Sequence, residues 1–169
     1  LDRMADPSES ALLERLTLFW HDHFACRVVF GHLGIQQLST LRTHALGSFR
    51  DLCLAVAKDP AMSRYLNNQQ NKKNSPNENF ARELLELFTI GPGHYTEEDI
   101  KEAARAFTGW GSTYKGNYRF RAKDHDYGQK TFFGQTGRFN GEDIIRIILD
   151  RPETAAFLVR KFWHYYVSA

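Results

Sequence analysis

Ser75-Pro76-Asn77-Glu78-Asn79-Phe80-Ala81-Arg82-Glu83-Leu84-Leu85-Glu86-Leu87-Phe88-Thr89-Ile90-Gly91-Pro92-Gly93 is the stretch whose reading decides the fold class. Serine can accept a hydrogen bond from an orphan N–H at a helix start. Proline early in the first turn forfeits no helical bond, and glutamate at the third position can reach back to the cap. Placed at about 100° per residue, Phe80, Ala81, Leu84, Leu85, Leu87 and Phe88 form one apolar arc, with Glu78, Asn79, Arg82, Glu83 and Glu86 opposite. Gly91-Pro92-Gly93 ends the helix in a turn. The segment predicts an amphipathic helix over 76–90.

The same punctuation recurs along the chain. Asp6-Pro7-Ser8-Glu9, Asp59-Pro60, Thr96-Glu97-Glu98-Asp99, Asn140-Gly141-Glu142-Asp143 and Asp150-Arg151-Pro152-Glu153 all read as helix starts. Together they predict helices over 7–25, 36–58, 60–67, 97–108 and 141–167, the last broken near Pro152. Helical spacing places Leu12, Leu16, Phe19, Trp20 and Phe24 on one face of the first, and Ile100, Ala103, Ala104 and Phe107 on one face of the fifth. In the last helix Ala155, Leu158, Val159, Phe162 and Tyr166 recur at three and four. Only the polar run Asn67 to Asn74 approaches low complexity.

Residues 111–139 break the helical period. They hold five glycines and seven aromatics, and Tyr118-Arg119-Phe120-Arg121 alternates in the manner of a strand, with Lys130-Thr131-Phe132-Phe133 as its partner. The expectation is a mainly α single domain over 1–169 with a small β-hairpin or ordered loop near 117–133. The 111–139 insertion carries six lysines and arginines against two aspartates, while the rest of the chain carries 16 against 18. A net charge of +2 over 169 residues makes nucleic acid an unlikely partner class. With 42% hydrophobic residues the chain can build a core, so wholesale disorder is excluded. Its longest apolar run, Leu52 to Ala57, is far short of the ~20 residues of a membrane span, so no transmembrane segment is expected. Cys26 and Cys53 form neither a disulfide framework nor a zinc set and read as small core residues.

Three constellations could carry chemistry. On the polar arc, Arg82 lies four residues from Glu78 and from Glu86, which is either a solvated ion-pair face or a cleft wall in which Asn79, Glu83 and Glu86 act as acid/base groups or oxygen ligands. In Trp20-His21-Asp22-His23-Phe24, helical placement sets His23 in the apolar arc and turns His21 away; His23 is then a core imidazole bonded to a backbone carbonyl, or a ligand or general base. Lys123-Asp124-His125-Asp126-Tyr127-Gly128 places a histidine between carboxylates on a glycine-bounded loop, as an oriented general base needs, although plain turn chemistry gives the same pattern. Arg119, Arg121, Lys123, Lys130 and Arg138, interleaved with Tyr118, Phe120, Phe132 and Phe133, could hold a polyanion or stack on bases or sugars, or form a hairpin with one apolar and one solvated basic face.

Read in order, Trp20-His21-Asp22-His23-Phe24-Ala25, Asp59-Pro60-Ala61-Met62, the block Pro76 to Gly91, Tyr95-Thr96-Glu97-Glu98-Asp99-Ile100, Ala104-Arg105-Ala106-Phe107-Thr108-Gly109-Trp110 and His125-Asp126-Tyr127-Gly128-Gln129-Lys130 resemble the bacterial domain of unknown function DUF1800. The resemblance spans about residues 10 to 167. It implies a portion of a longer protein, partnered by the remainder of that polypeptide or by another protein, and a bacterial envelope or periplasmic location over the cytoplasm. Its motif blocks fall on Asn79, Arg82, Glu83, Glu86, His21, His23, His125 and Asp126, which favours a shared polar site. The leading expectation is therefore metal-assisted or acid/base hydrolysis by His125, Asp126, Glu83, Glu86 and His23, with Asn79, Arg82, Arg119 and Arg121 holding substrate and a divalent ion as the candidate cofactor. The other is a non-catalytic module that binds a glycan, a polyanion or a protein through the basic aromatic hairpin. If the polar arc faces a cleft, losing Arg82 should cost about 3 kcal/mol; on an exposed face it should cost about 1 kcal/mol or less. The resemblance, centred on this block, favours the cleft.

Overall fold

A computed structural model describes residues 11–27, 30–113 and 115–168; the helix start read at Pro7 lies outside them. Among the described residues the chain forms eight α-helices: α1 Ala11–His23, α2 Gly31–His44, α3 Phe49–Ala57, α4 Pro60–Tyr65, α5 Asn79–Glu83, α6 Glu97–Ala106, α7 Gly141–Leu149 and α8 Pro152–Tyr166. Between α6 and α7 lie two antiparallel hairpins, β1 Trp110–Ser112 with β2 Tyr118–Phe120, and β3 Lys130–Phe132 with β4 Gln135–Gly137. The fold is mainly α with small hairpin elements, as the sequence predicts. Among the described residues, no helix is long and apolar enough to cross a membrane.

Most helix starts follow their caps. Asp59 Oδ1 accepts from the N–H groups of Ala61 and Met62 at 2.9 and 3.0 Å. Thr96/Asp99 and Asn140/Asp143 close reciprocal capping boxes at the starts of α6 and α7. The predicted helix 36–58 is two helices: Ser48 Oγ accepts from Arg50 N and Asp51 N and begins α3 afresh. The predicted start at Pro76 also moves. Ser75 pairs with Lys72 in an isolated bridge, and Asn77 Oδ1 accepts from Asn79 N at 3.1 Å where α5 begins.

After Glu83 the helix widens into a π-helix over Leu84–Thr89. Its backbone pattern shows in Ile90 N donating to Leu85 O at 3.1 Å, and the Thr89 side chain adds a bond from Oγ1 to Leu84 O at 2.5 Å. The wider turn shifts the angular phase, and Leu87, predicted to face the core, is 47% exposed. Gly91 and Gly93, at φ 82° and 85°, stop the helix where expected.

The strand pairing differs from the expectation too. Tyr118–Phe120 pairs back with Trp110–Ser112, and Lys130–Phe132 pairs forward with Gln135–Gly137, so the two predicted partners sit in separate hairpins. Both central residues of the second turn, Phe133 and Gly134, have positive φ (48° and 75°), the backbone of a tight hairpin turn. Phenylalanine does not announce such a turn, which hid it in the sequence.

The core runs from the aromatic face of α1 through α5 and α6 to α7, with Phe24, Phe80, Phe107, Ile100 and Ile144 essentially inaccessible. Alanines at 103, 104 and 106 let α6 approach its neighbours closely. The polar run 67–74 is ordered: Asn71, fully buried, donates to Ala104 O at 2.8 Å and accepts from Asn77 N at 2.9 Å. Its carbonyl also takes the N–H of Gly109 at 3.0 Å. Gly109 stands at φ 79°, and a Cβ there would meet Arg121 O at 2.7 Å, so only glycine lets this strand entry lie against the loop that follows β2.

Candidate functional site

The loop after β2 is pinned to α6 by charge. Arg105 donates through Nε to Asp126 Oδ2 at 2.8 Å and through Nη1 to Glu102 Oε1 at 2.7 Å. Glu102 also accepts from Thr131 N at 2.8 Å, and Asp126 Oδ1 from Gly128 N at 2.8 Å. The ammonium of Lys130, a residue 1% exposed, donates to the carbonyls of Asp126 and Gly128 at 2.6 and 3.0 Å. Burial works to raise the pKa of Asp126, but the bonds from Arg105 and Gly128 outweigh it and hold the carboxyl below its ordinary value.

His125, buried in the same loop, places Nδ1 2.8 Å from Thr108 O. A carbonyl can only accept, so Nδ1 carries the proton. Burial lowers the imidazole pKa and favours the neutral ring. Its edge contacts are Phe120 and Tyr127, at centroid separations of 5.3 and 4.6 Å.

The polar arc of α5 stands apart. Arg82 reaches Glu97 with two nitrogens at 2.9 and 2.8 Å and Glu78 at 3.1 Å. Glu86, its predicted second partner, instead accepts from Tyr95 Oη at 3.1 Å, because the π-helix begins between Arg82 and Glu86 and breaks the four-residue alignment. Burial and then the neighbouring Glu86 raise the Glu83 pKa. Asn79 is exposed. The Arg82 and Glu78 side chains each keep 36% exposure and Glu97 keeps 68%, so this is a rim rather than a closed cleft. Arg82→Ala is accordingly expected to cost about 1 kcal/mol or less, with the difference from wild type shrinking in high salt. Urea unfolding at two ionic strengths measures it, and a penalty near 3 kcal/mol in both would restore the cleft.

His23 occupies a third setting. Its ring packs against Phe19, Phe24, Phe88 and Phe157, and Nε2 lies 2.9 Å from Phe88 O, on the π-helix. The contacts of His23, of Glu83 with Glu86, and of His125 with Asp126 share no side chain, so the five catalytic candidates do not converge. Among the described residues, no group of three or more His, Cys, Asp or Glu side chains is placed to hold a metal ion.

The first hairpin builds a different kind of surface. Tyr118 and Phe120 alternate onto one face of β2 and remain 37% and 43% exposed. With Trp110, Asn140 and Glu142 they line an open groove of about 260 Å³. Trp110 meets Tyr118 edge-on at 5.5 Å, and Lys58, paired with Glu142 at 2.6 Å, sits 5.6 Å from both ring centroids. Arg119 is exposed. Arg121 is not free to hold substrate: it donates to Gln69 O at 2.6 Å and pairs with Asp124 at 2.9 Å. Sequence reasoning missed Glu102, Arg105 and Lys130 as the loop's anchors; Arg105, three residues after Glu102, was the available signal.

A family model described as "Protein of unknown function (DUF1800)" matches residues 1–169. No curated protein and no solved structure matches the chain.

Proposed function

The chain belongs to the DUF1800 family of proteins of unknown function, and on that footing we propose that it is a non-catalytic module that binds a neutral glycan in the aromatic groove of its first hairpin. The observation that carries this reading is the pair of half-exposed rings, Tyr118 and Phe120, on one face of β2 beside Trp110. Aromatic faces carry the negative side of a quadrupole, and the C–H faces of a sugar ring present the complementary slight positive charge. Asn140 and Glu142 at the groove supply polar groups for hydroxyls. A polyanion fits less well, since Glu142 lines the groove, Lys58 is neutralised by it, and Arg121 is tied to Asp124 and Gln69. Hydrolysis by His125, Asp126, Glu83, Glu86 and His23 and a divalent ion are not part of this proposal, because those residues stand in three settings.

An envelope location, implied by the family resemblance, belongs to the same reading and would set the groove beside cell-wall glycan. We also propose that a partner protein or a further part of the polypeptide covers α8, where Val159 and Trp163 are 66% and 57% exposed.

Calorimetric titration with soluble cello- and chito-oligosaccharides tests the proposal. Tyr118→Ala and Phe120→Ala, both at exposed positions, should each weaken binding about tenfold or more while leaving the unfolding midpoint nearly unchanged. Absence of binding to every neutral glycan, or salt-sensitive binding to heparin that survives Tyr118→Ala, would overturn it.

A further inference from the structure

A cavity of about 330 Å³ opens where the chain leaving α1 meets the start of α2 and the helix α4. Arg27 and Phe30 line it ahead of α2, Leu33 from within α2, Arg64 and Tyr65 from α4, and Gln69 from beyond α4. Among the described residues, neither Arg27 nor Arg64 makes a side-chain hydrogen bond or an ion pair. Arg64 is half-buried, with its guanidinium carbon 5.6 Å from the Phe30 ring centroid, a contact that holds the group in place. Its Nε is sealed from solvent, but Nη1 and Nη2 are both unpartnered and accessible. Gln69 likewise keeps Oε1 sealed and leaves Nε2 accessible and unpartnered. Arg27 and Tyr65 are exposed.

Two guanidinium charges therefore share a cavity with no carboxylate in its lining. Asp59, at the start of α4, does not offset them from within it; the residue is buried and accepts from the N–H groups of Ala61 and Met62. The helix α2 also begins here. Phe30 is its N-cap and gives the first N–H groups no side-chain acceptor, and the first turn holds no acid, so the positive end of the helix adds to the same field.

We infer that this cavity binds an aryl phosphate monoester, its phosphate held by the terminal nitrogens of Arg27 and Arg64 and its ring set against Tyr65 and Leu33. A phosphate monoester carries about −1.5 to −2 charges at neutral pH and offers three acceptor oxygens, which suits two guanidinium forks in both charge and donor number. No existing bond has to break for the guanidinium nitrogens to receive it. Buried Leu33 and Ala61 and the Tyr65 ring give the aryl group apolar walls, and the volume fits one small molecule. The site has no lining residue in common with the hairpin groove, so it stands or falls independently of the glycan proposal.

The test is NMR titration of protein labelled with ¹⁵N in arginine, using phenyl phosphate, inorganic phosphate and phenyl sulfate at neutral pH. The Arg64 Nε–H, next to the binding nitrogens, is the reporter, and phenyl phosphate should move its resonance saturably. Inorganic phosphate, which lacks the ring, and phenyl sulfate, which carries a single charge, should each bind about tenfold more weakly, or about 1.4 kcal/mol. Losing Arg64 would disturb its packing on Phe30, so the exposed Arg27 carries the variant test. Arg27→Met should weaken phenyl phosphate about tenfold with the unfolding midpoint unchanged. Tyr65→Ala should weaken phenyl phosphate and leave inorganic phosphate as it was. No saturable change at Arg64, phenyl phosphate binding no more tightly than either other probe, or an affinity for it unaltered in either variant would each overturn the inference.

Discussion

Arg105→Ala should destabilise the domain by about 3 kcal/mol, the largest effect expected of any single charge in the fold. The magnitude comes from what the arginine leaves behind. Glu102 and Asp126 keep side-chain exposures of only 11% and 19%, and Arg105 is the cation bonded to both. Truncation leaves two carboxylates in poor solvent, each with one backbone N–H bond, from Thr131 and Gly128 respectively, and with the Lys130 ammonium nearby but bonded to backbone carbonyls instead of to either carboxylate. Residual solvent access, with Arg105 itself 29% exposed, places the expectation at the low end of the range for breaking a buried pair. Lysine should restore little, because an ammonium cannot present two nitrogens in a fixed fork to two carboxylates. The double variant Arg105→Met/Glu102→Gln should recover part of the loss by removing one stranded charge. Urea midpoints at unchanged m-value measure all three, and an Arg105→Ala penalty below about 1 kcal/mol would show that the network is merely a surface feature.

That network also marks the boundary of what could be read from residues alone. Caps that act locally were legible: Asp59, Thr96 and Asn140 each bond to N–H groups within three residues, so their geometry follows from sequence spacing. Ser48 was equally local but sat inside a run of helix-compatible residues, and the break it makes went unseen. The π-helix was invisible because no residue type demands it, and its wider turn separated Arg82 from Glu86 and exposed Leu87. The pairing of β2 with β1 is closed by Thr113 N–H donating to Asn117 O, and that of β3 with β4 depends on Phe133 at positive φ, neither of which composition signals. The candidate site failed to assemble for a related reason. His125 and Asp126 stood out in the sequence, yet their partners Thr108 and Arg105 lie 17 and 21 residues away, and only the folded loop brings them together. The core-imidazole reading of His23 needed just a backbone carbonyl, and the structure supplies it from Phe88.

That same histidine gives the second large expectation, a loss of stability in mild acid. Burial, then the Lys161 charge, lowers the His23 pKa from 6.5 to about 4, against the opposing bond to Phe88 O. The folded state therefore holds the neutral ring, while the unfolded chain binds a proton at ordinary affinity. Stability from this group is fully present above about pH 6.5, falls as the pH drops from there toward 4, and levels off below. At about 1.4 kcal/mol for each tenfold change in proton affinity, the whole effect is about 3 kcal/mol. His125, whose pKa burial also lowers, adds a loss of the same sign, so the wild-type slope alone does not isolate His23. The difference between wild type and His23→Gln does, because glutamine can still donate to Phe88 O but does not titrate, and His125 is common to both. Unfolding free energies measured every half pH unit should show the variant losing stability less steeply between pH 6.5 and 4, with parallel curves above pH 7. Parallel curves throughout would mean that His23 protonates as readily in the folded protein as in the unfolded chain, and that its ring is not held neutral by the aromatic cluster around it.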